Sequence, residues 1–219
     1  TGVQAHCPLL WAGDQSVDFS RHDGIGTVIT AALSSGLVGN AFSHSDVGGY
    51  TSLFGNVRTP ELMLRWYELG AFSPVMRTHE GNRPDDNLQI DSNAELIARF
   101  VRWSQVHAAL APYVRHLVTE AQATGLPAQR ALFLHHPEDR ETFTIQDQFL
   151  YGADMMVAPV IEAEAEMRKV YLPHGEWRHL WSGQDYAPGW HHVAAPIGAP
   201  PVFYRPDSAF AALFASLAA

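Results

Sequence analysis

The sequence predicts an α/β fold followed by an all-β unit, on three observations. Over the first half, short apolar runs alternate with stretches of helical spacing, which argues a parallel sheet or barrel. Each apolar run ends in a polar cluster that contains glycine and an acid or a histidine. Beyond Gly125-Leu126-Pro127 the period shortens to strands separated by turn residues, the pattern of a small sandwich. The division therefore falls between residues 1–124 and 125–219.

The first run, Val3 to Trp11, reads as a buried strand, with Cys7 a small buried hydrophobe within it. It turns polar at Gly13-Asp14-Gln15, so Asp14 stands at the strand tip. Ile25, Val28, Ile29, Ala32 and Leu33 then follow helical spacing, with Asp23 as the expected N-cap and Gly36 as the stop. Leu37 to Phe42 reads as the second strand, ending in Ser43-His44-Ser45-Asp46-Val47-Gly48-Gly49-Tyr50-Thr51. Thr59-Pro60 opens the next helix, as N-cap and first helical residue. Ser73 to Met76 is the third strand, tipped by Arg77-Thr78-His79-Glu80-Gly81-Asn82-Arg83-Pro84. Ser92-Asn93-Ala94-Glu95 has a capping-box pattern and starts a long helix to about Ala123, which Pro112 should kink or divide. His107 and His116 read as ordinary residues of that helix.

In the second half, strands are expected at Ala131–Leu134, Asp154–Ile161, Arg168–Leu172, Glu176–Trp181 and Val202–Tyr204, with hairpin turns at His174-Gly175-Glu176 and Ser182-Gly183-Gln184. Ala209 to Leu217 reads as a closing helix or tail. The pairs His135-His136 and His191-His192 are strand neighbours that point to opposite faces, so neither chelates a metal well. No Cys/His ligand spacing, P-loop or dinucleotide fingerprint occurs, so no metal or cofactor is expected.

Composition narrows the partners. The formal net charge is -9 and the 14 Lys and Arg are not clustered, which argues against nucleic acid and anionic membrane. No apolar run reaches the roughly 18 residues of a membrane span. The single Cys7 fits a reducing compartment, so a cytoplasmic location is expected. Homo-oligomerisation is left open.

The polar tips carry the chemistry. Asp14 suits general acid/base work if Trp11 and closed loops raise its pKa. Asp46 by spacing alone could be the second carboxylate of a glycosidase, which retention of configuration requires at ~5–5.5 Å. The preferred reading makes Asp46 a loop acid that orients Arg77 or His79. Arg77 and His79 alternate along their strand tip, so both can face one cleft and hydrogen-bond sugar hydroxyls. Tyr50, after two glycines, is either a pocket wall with a useful hydroxyl or ordinary loop packing.

Three ordered motifs give the chain a resemblance. Trp11-Ala12-Gly13-Asp14-Gln15, Ser45-Asp46-Val47-Gly48-Gly49-Tyr50-Thr51 and Met76-Arg77-Thr78-His79-Glu80-Gly81-Asn82-Arg83-Pro84 together resemble glycoside hydrolase family 31, nearest its sulfoquinovosidase branch. The resemblance extends to Pro200-Pro201-Val202-Phe203-Tyr204-Arg205-Pro206. It implies a retaining α-glycosidase with a (β/α)8 barrel followed by β-sandwich domains. It makes Asp14 the general acid/base and Trp11 the pocket aromatic beside it. Arg77 and His79 line the sugar site, and Tyr50 helps hold a sulfonate. Gln15 joins the substrate-binding set where Asn is common elsewhere in the family, and Asp46 is a supporting acid. The family's nucleophilic Asp, its other sulfonate-binding residues and the arginine preceding the acid/base match nothing in this chain. The expectation is a C-terminal portion of a longer enzyme, inactive and poorly soluble when isolated, because a few strands of barrel expose a sheet edge. The same-class alternative is an α-glucosidase or α-xylosidase; the alternative of another class is a non-catalytic carbohydrate-binding or scaffold protein.

Overall fold

A computed structural model describes His6, Cys7 and residues 9–218. The first half carries short parallel ladders. Strand β1 (Leu9–Trp11) pairs in parallel with β2 (Phe42–His44), and β3 (Asp46–Val47), which follows β2 after one residue, pairs in parallel with β4 (Arg77–Thr78). Helix α1 (Ile25–Leu37) links β1 to β2 and α2 (Pro60–Ala71) links β3 to β4, so the parallel order comes from strand–helix–strand crossovers.

Several expected boundaries move. The run from Val3 begins outside the described residues, and the strand itself is only Leu9–Trp11. Cys7 lies before it and is exposed, not buried. Gly24, not Asp23, caps α1; Asp23 instead accepts a hydrogen bond from the Ser16 hydroxyl at 2.9 Å. Leu37 and Val38 are apolar but exposed at the end of α1, so the second strand begins only at Phe42. The third strand likewise starts at Arg77, after Ser73–Met76.

Helix α2 begins as its sequence dictates, with Leu62 N–H donating to the Thr59 hydroxyl at 3.2 Å and Pro60 in the first turn. It is buried on every side from Leu62 to Ala71. Its apolar residues pack toward β3 and α3 (Ala94–Ala109). Its charged pair, Arg65 and Glu68, reaches into loops of the second half. Arg65 Nη2 donates to the Ala165 and Ala195 carbonyls, both at 2.8 Å, and the Gly198 N–H donates to Glu68 at 2.6 Å. Helix α3 is capped by Asn93 rather than Ser92; the Leu96 N–H donates to its side chain at 3.0 Å. Pro112 divides the long helix at Leu110, giving α4 (Ala111–Thr124), which Gly125 ends at φ +77.

In the second half a six-stranded antiparallel sheet runs in the order β10-β9-β12-β7-β6-β5, and β8 and β11 form a separate antiparallel ladder. The sheet comprises β5 (Gln129–Arg130), β6 (Phe149–Tyr151), β7 (Met155–Val157), β9 (Trp177–His179), β10 (Asp185–Tyr186) and β12 (Val202–Tyr204); the ladder comprises β8 (Met167–Leu172) and β11 (Gly189–Ala194). Ala131–Leu134 is not a strand, because Leu132–Leu134 closes into a 3₁₀ turn. His174-Gly175-Glu176 is not a hairpin turn, since it passes from β8 in the ladder to β9 in the sheet. Ser182-Gly183-Gln184 does turn the β9–β10 hairpin, and α5 (Ala211–Ser216) closes the chain.

The sheet separates two cores by the period of two. Phe149, Tyr151, Met155, Val157, Val202 and Tyr204 face the cluster shared with α2, α3 and α4. The intervening Leu150, Met156 and Phe203 face a second cluster with Val170, Leu172 and Val193 of the ladder. These strands are therefore apolar at every position. Among the described residues no helix is long and apolar enough to cross a membrane.

Candidate active site

The C-terminal tips of the parallel strands are laced together by main-chain hydrogen bonds. The Gln15 carbonyl accepts from the N–H groups of Tyr50 and Thr51, at 2.8 and 2.9 Å. The Thr51 hydroxyl donates to the Asp14 carbonyl at 2.7 Å. The Tyr50 carbonyl in turn accepts from the Asn82 N–H at 3.2 Å. The three sequence motifs are thereby one structural unit. Glycine is needed in it for space: a Cβ on Gly49, whose φ is +76, would lie 3.0 Å from the Ser16 carbonyl oxygen.

Asp14 is exposed, so the enclosure expected around it is not supplied by these residues. Trp11 ends β1 in register with His44 and is 44% exposed; the Arg77 guanidinium carbon lies 5.9 Å from its ring centroid. Gln15 is buried and turned back, its amide nitrogen donating to the Ala12 carbonyl at 2.7 Å. Its side-chain oxygen has no hydrogen-bond partner among the described residues.

Asp46 is fully buried and ion-paired with Arg77, directly beside it in the β3–β4 register. That pairing offsets the cost of burying the carboxylate and fixes the guanidinium over Trp11. One Asp46 oxygen bonds Arg77, the other has no hydrogen-bond partner among the described residues, and the carboxylate has no exposed surface.

His79 follows Arg77 past the strand end. Its Nδ1 accepts from the Gly81 N–H at 3.2 Å, which leaves the proton of a neutral ring on Nε2, as a donor. The Tyr50 ring meets it edge-to-face, with centroids 4.8 Å apart and planes at 87°. Arg77 and His79 line one open cleft of about 660 Å³, together with Thr78, Glu80, Asp85 and Asp91. Asp14, Gln15 and Tyr50 stand outside that lining.

Sequence reading missed the groups beneath these tips. Arg58 is 3% exposed and donates to the carbonyls of Gly48, Gly49, His79 and Leu88. Asn87 accepts from the Arg58 N–H at 2.9 Å, and the Ser52 N–H donates to Asn82 at 2.9 Å. Trp66 of α2 donates to the Ser45 hydroxyl at 2.9 Å, fixing the residue between β2 and β3. His44 is buried at the β2 tip, and desolvation, then the nearby Arg77 charge, holds its pKa below the usual 6.5. Apart from the proline after Arg58-Thr59, which marks a helix start, no local pattern announces them.

Parallel strands joined by helices, with polar side chains gathered at their C-terminal tips, define the scaffold of an α/β-barrel enzyme. Residues 1–117 match the TIM-barrel domain of glycosyl hydrolases family 31, and residues 125–210 match the glycosyl hydrolase family 31 C-terminal domain. The chain belongs to glycosyl hydrolase family 31. It is 62% identical to a sulfoquinovosidase of Agrobacterium fabrum over 99% of this chain and 33% of that protein. It is 50% identical to a sulfoquinovosidase of Escherichia coli over 99% of this chain and 32% of that protein. The solved structure of a family 31 sulfoquinovosidase from E. rectale, in complex with an aza-sugar inhibitor, superposes with a TM-score of 0.97 at 50% identity, covering 99% of this chain and 32% of that one. A family 31 α-xylosidase from a soil metagenome superposes with a TM-score of 0.82 at 29% identity, covering 94% of this chain and 33% of that one. The chain thus spans about a third of the length of these two curated relatives.

Proposed function

We propose that this chain is the C-terminal portion of a retaining α-glycosidase that hydrolyses α-sulfoquinovosides such as sulfoquinovosyl glycerol. The observation that carries the reading is the 62% identity, sustained over 99% of this chain, to a protein named a sulfoquinovosidase. The laced tips support it, because they hold the acid, the tyrosine and the Arg77–His79 pair in one unit. In this reading Asp14 protonates the departing glycosidic oxygen, then takes a proton from the attacking water. The nucleophilic carboxylate lies outside these residues. Trp11 walls the pocket, Gln15 borders it, and Arg77 and His79 bond the sugar hydroxyls. Tyr50 helps hold the sulfonate, a fixed anion whose desolvation needs charge-assisted hydrogen bonds. Asp46 supports Arg77. Residues 1–124 are the last strands and helices of a (β/α)8 barrel, and 125–219 are a C-terminal β-sandwich domain. The partner is a small carbohydrate, and the location is the cytoplasm.

The test is the ratio of kcat/KM for an aryl α-sulfoquinovoside over the matching aryl α-glucoside, measured on the full-length protein. The expected ratio is far above one, and Tyr50→Phe lowers it. A ratio at or below one makes the protein a plain α-glucosidase, or an α-xylosidase if the xyloside is best. No turnover of any of the three makes it a carbohydrate-binding or scaffold protein.

A further inference from the structure

We propose that Arg58 is a positioning residue of this site, holding Tyr50 and His79 in register and so setting how the sugar is gripped. The proposal rests on the reading of Tyr50 and His79 as sugar contacts. One nitrogen carries it. Arg58 Nη2 donates both to the Gly49 carbonyl, at 2.6 Å, and to the His79 carbonyl, at 3.2 Å. It therefore bridges the peptide that leads into Tyr50 and the peptide of His79 itself. The Nε–H takes the Gly48 carbonyl at 2.9 Å, and Nη1 takes the Leu88 carbonyl at 3.0 Å. Strand tips that belong to different crossovers are thus tied through one planar group.

The chemistry of that group matters. Among the described residues no carboxylate hydrogen-bonds to Arg58; its side-chain N–H groups go to four carbonyls, and the Asp46 charge favours it from further off. A buried cation with no hydrogen-bonded acid is a costly way to fill space. What the guanidinium offers is a rigid fork that fixes several acceptors at once, which an ammonium cannot do. The fold makes room for it: a Cβ on Gly48 would lie 2.8 Å from Arg58 Nε.

The experiment is a mutant cycle in the full-length protein, with Arg58→Lys alone, Tyr50→Phe with His79→Ala, and all three together. Lysine keeps the charge and loses the fork. Arg58→Lys is expected to lower kcat/KM about 100-fold on the better substrate, the scale of a misplacement of about 1 Å. In the triple variant it should add less than about twofold, because its effect runs through the two residues already removed. Multiplicative effects, or a single variant within about twofold of wild type, overturn the proposal. The coupling is read on whichever glycoside is turned over, so a wild-type preference for glucoside sinks the substrate assignment and leaves this test standing. A crystal structure of Arg58→Lys reads the same point without turnover: Tyr50 and His79 rings still 4.8 Å apart overturn it, and separated rings uphold it. If Arg58→Lys fails to fold, Asn87→Ala frees the Arg58 N–H while keeping the fork, and the same coupling at smaller size is required.

Discussion

The two halves of the chain solve opposite problems. In the second half, β6, β7 and β12 are buried on both faces, and their alternate side chains fill two cores. In the first half, β1 is as short as these strands but leaves Leu9 and Trp11 more than a third exposed. The second-half sheet is packed on both faces, whereas Trp11, Asp14 and Arg77 lie exposed at the strand tips while Gln15 and Asp46 are buried. The functional tips are held by hydrogen bonds and ion pairs instead, which specify geometry more than they add net stability.

A pair of tryptophans breaks the comparison open. Trp177 is fully buried in the second core, so Trp177→Ala should cost about 3–5 kcal/mol, seen in chemical denaturation of the full-length protein. Trp11→Ala should leave the melting temperature unchanged, because that ring is 44% exposed, and should lower kcat/KM if, as proposed, it walls the pocket. If both variants lose stability alike, the halves are not energetically distinct. Next in size is Glu68→Ala. It leaves the buried Arg65 without its acid and frees the Gly198 N–H, so a loss of about 3 kcal/mol is expected.

Proton uptake sharpens the comparison. Burial holds His44 and His107 in the first half, and His135, His136 and His179 in the second, below the ordinary value of 6.5. Below pH 6.5 the unfolded chain binds protons at these sites that the folded chain refuses. The stability these groups contribute is therefore present above pH 6.5 and is lost as pH falls through their folded values. Melting temperatures taken from pH 7.5 down to 5.5 should fall, and His179→Gln should flatten that slope. The smallest effect is a control. Arg83 and Asp86 form an exposed pair at 2.5 Å, and Arg83→Ala should leave the melting temperature where it was.

What could be read from the sequence was what local chemistry dictates. Thr59-Pro60 announced a helix start, Pro112 announced a break, and the three polar clusters announced strand tips. Strand limits were not legible, because apolar character and burial part company at Leu37 and Val38. Phe149–Tyr151 escaped because a strand buried on both faces has no alternation. Asp46 was legible as an acid orienting Arg77 or His79, but which of the two it meets depends on a register between strands thirty-one residues apart, and that register selects Arg77. Arg58 was illegible for a deeper reason: its partners are backbone carbonyls, which every residue possesses, so no side-chain pattern marks it.

The Arg65–Glu68 pair has a consequence for how the polypeptide is made. Its outward partners lie 100 and 130 residues further along the chain. At roughly 5–20 residues per second, the ribosome needs on the order of ten seconds to deliver Gly198 after Glu68 has emerged. For that interval α2 carries an acid and a cation toward a wall that does not yet exist. Helix α2 can settle fully only once residue 198 has been synthesised, so the loops carrying Ala165, Ala195 and Gly198 act as a late fitting in its assembly.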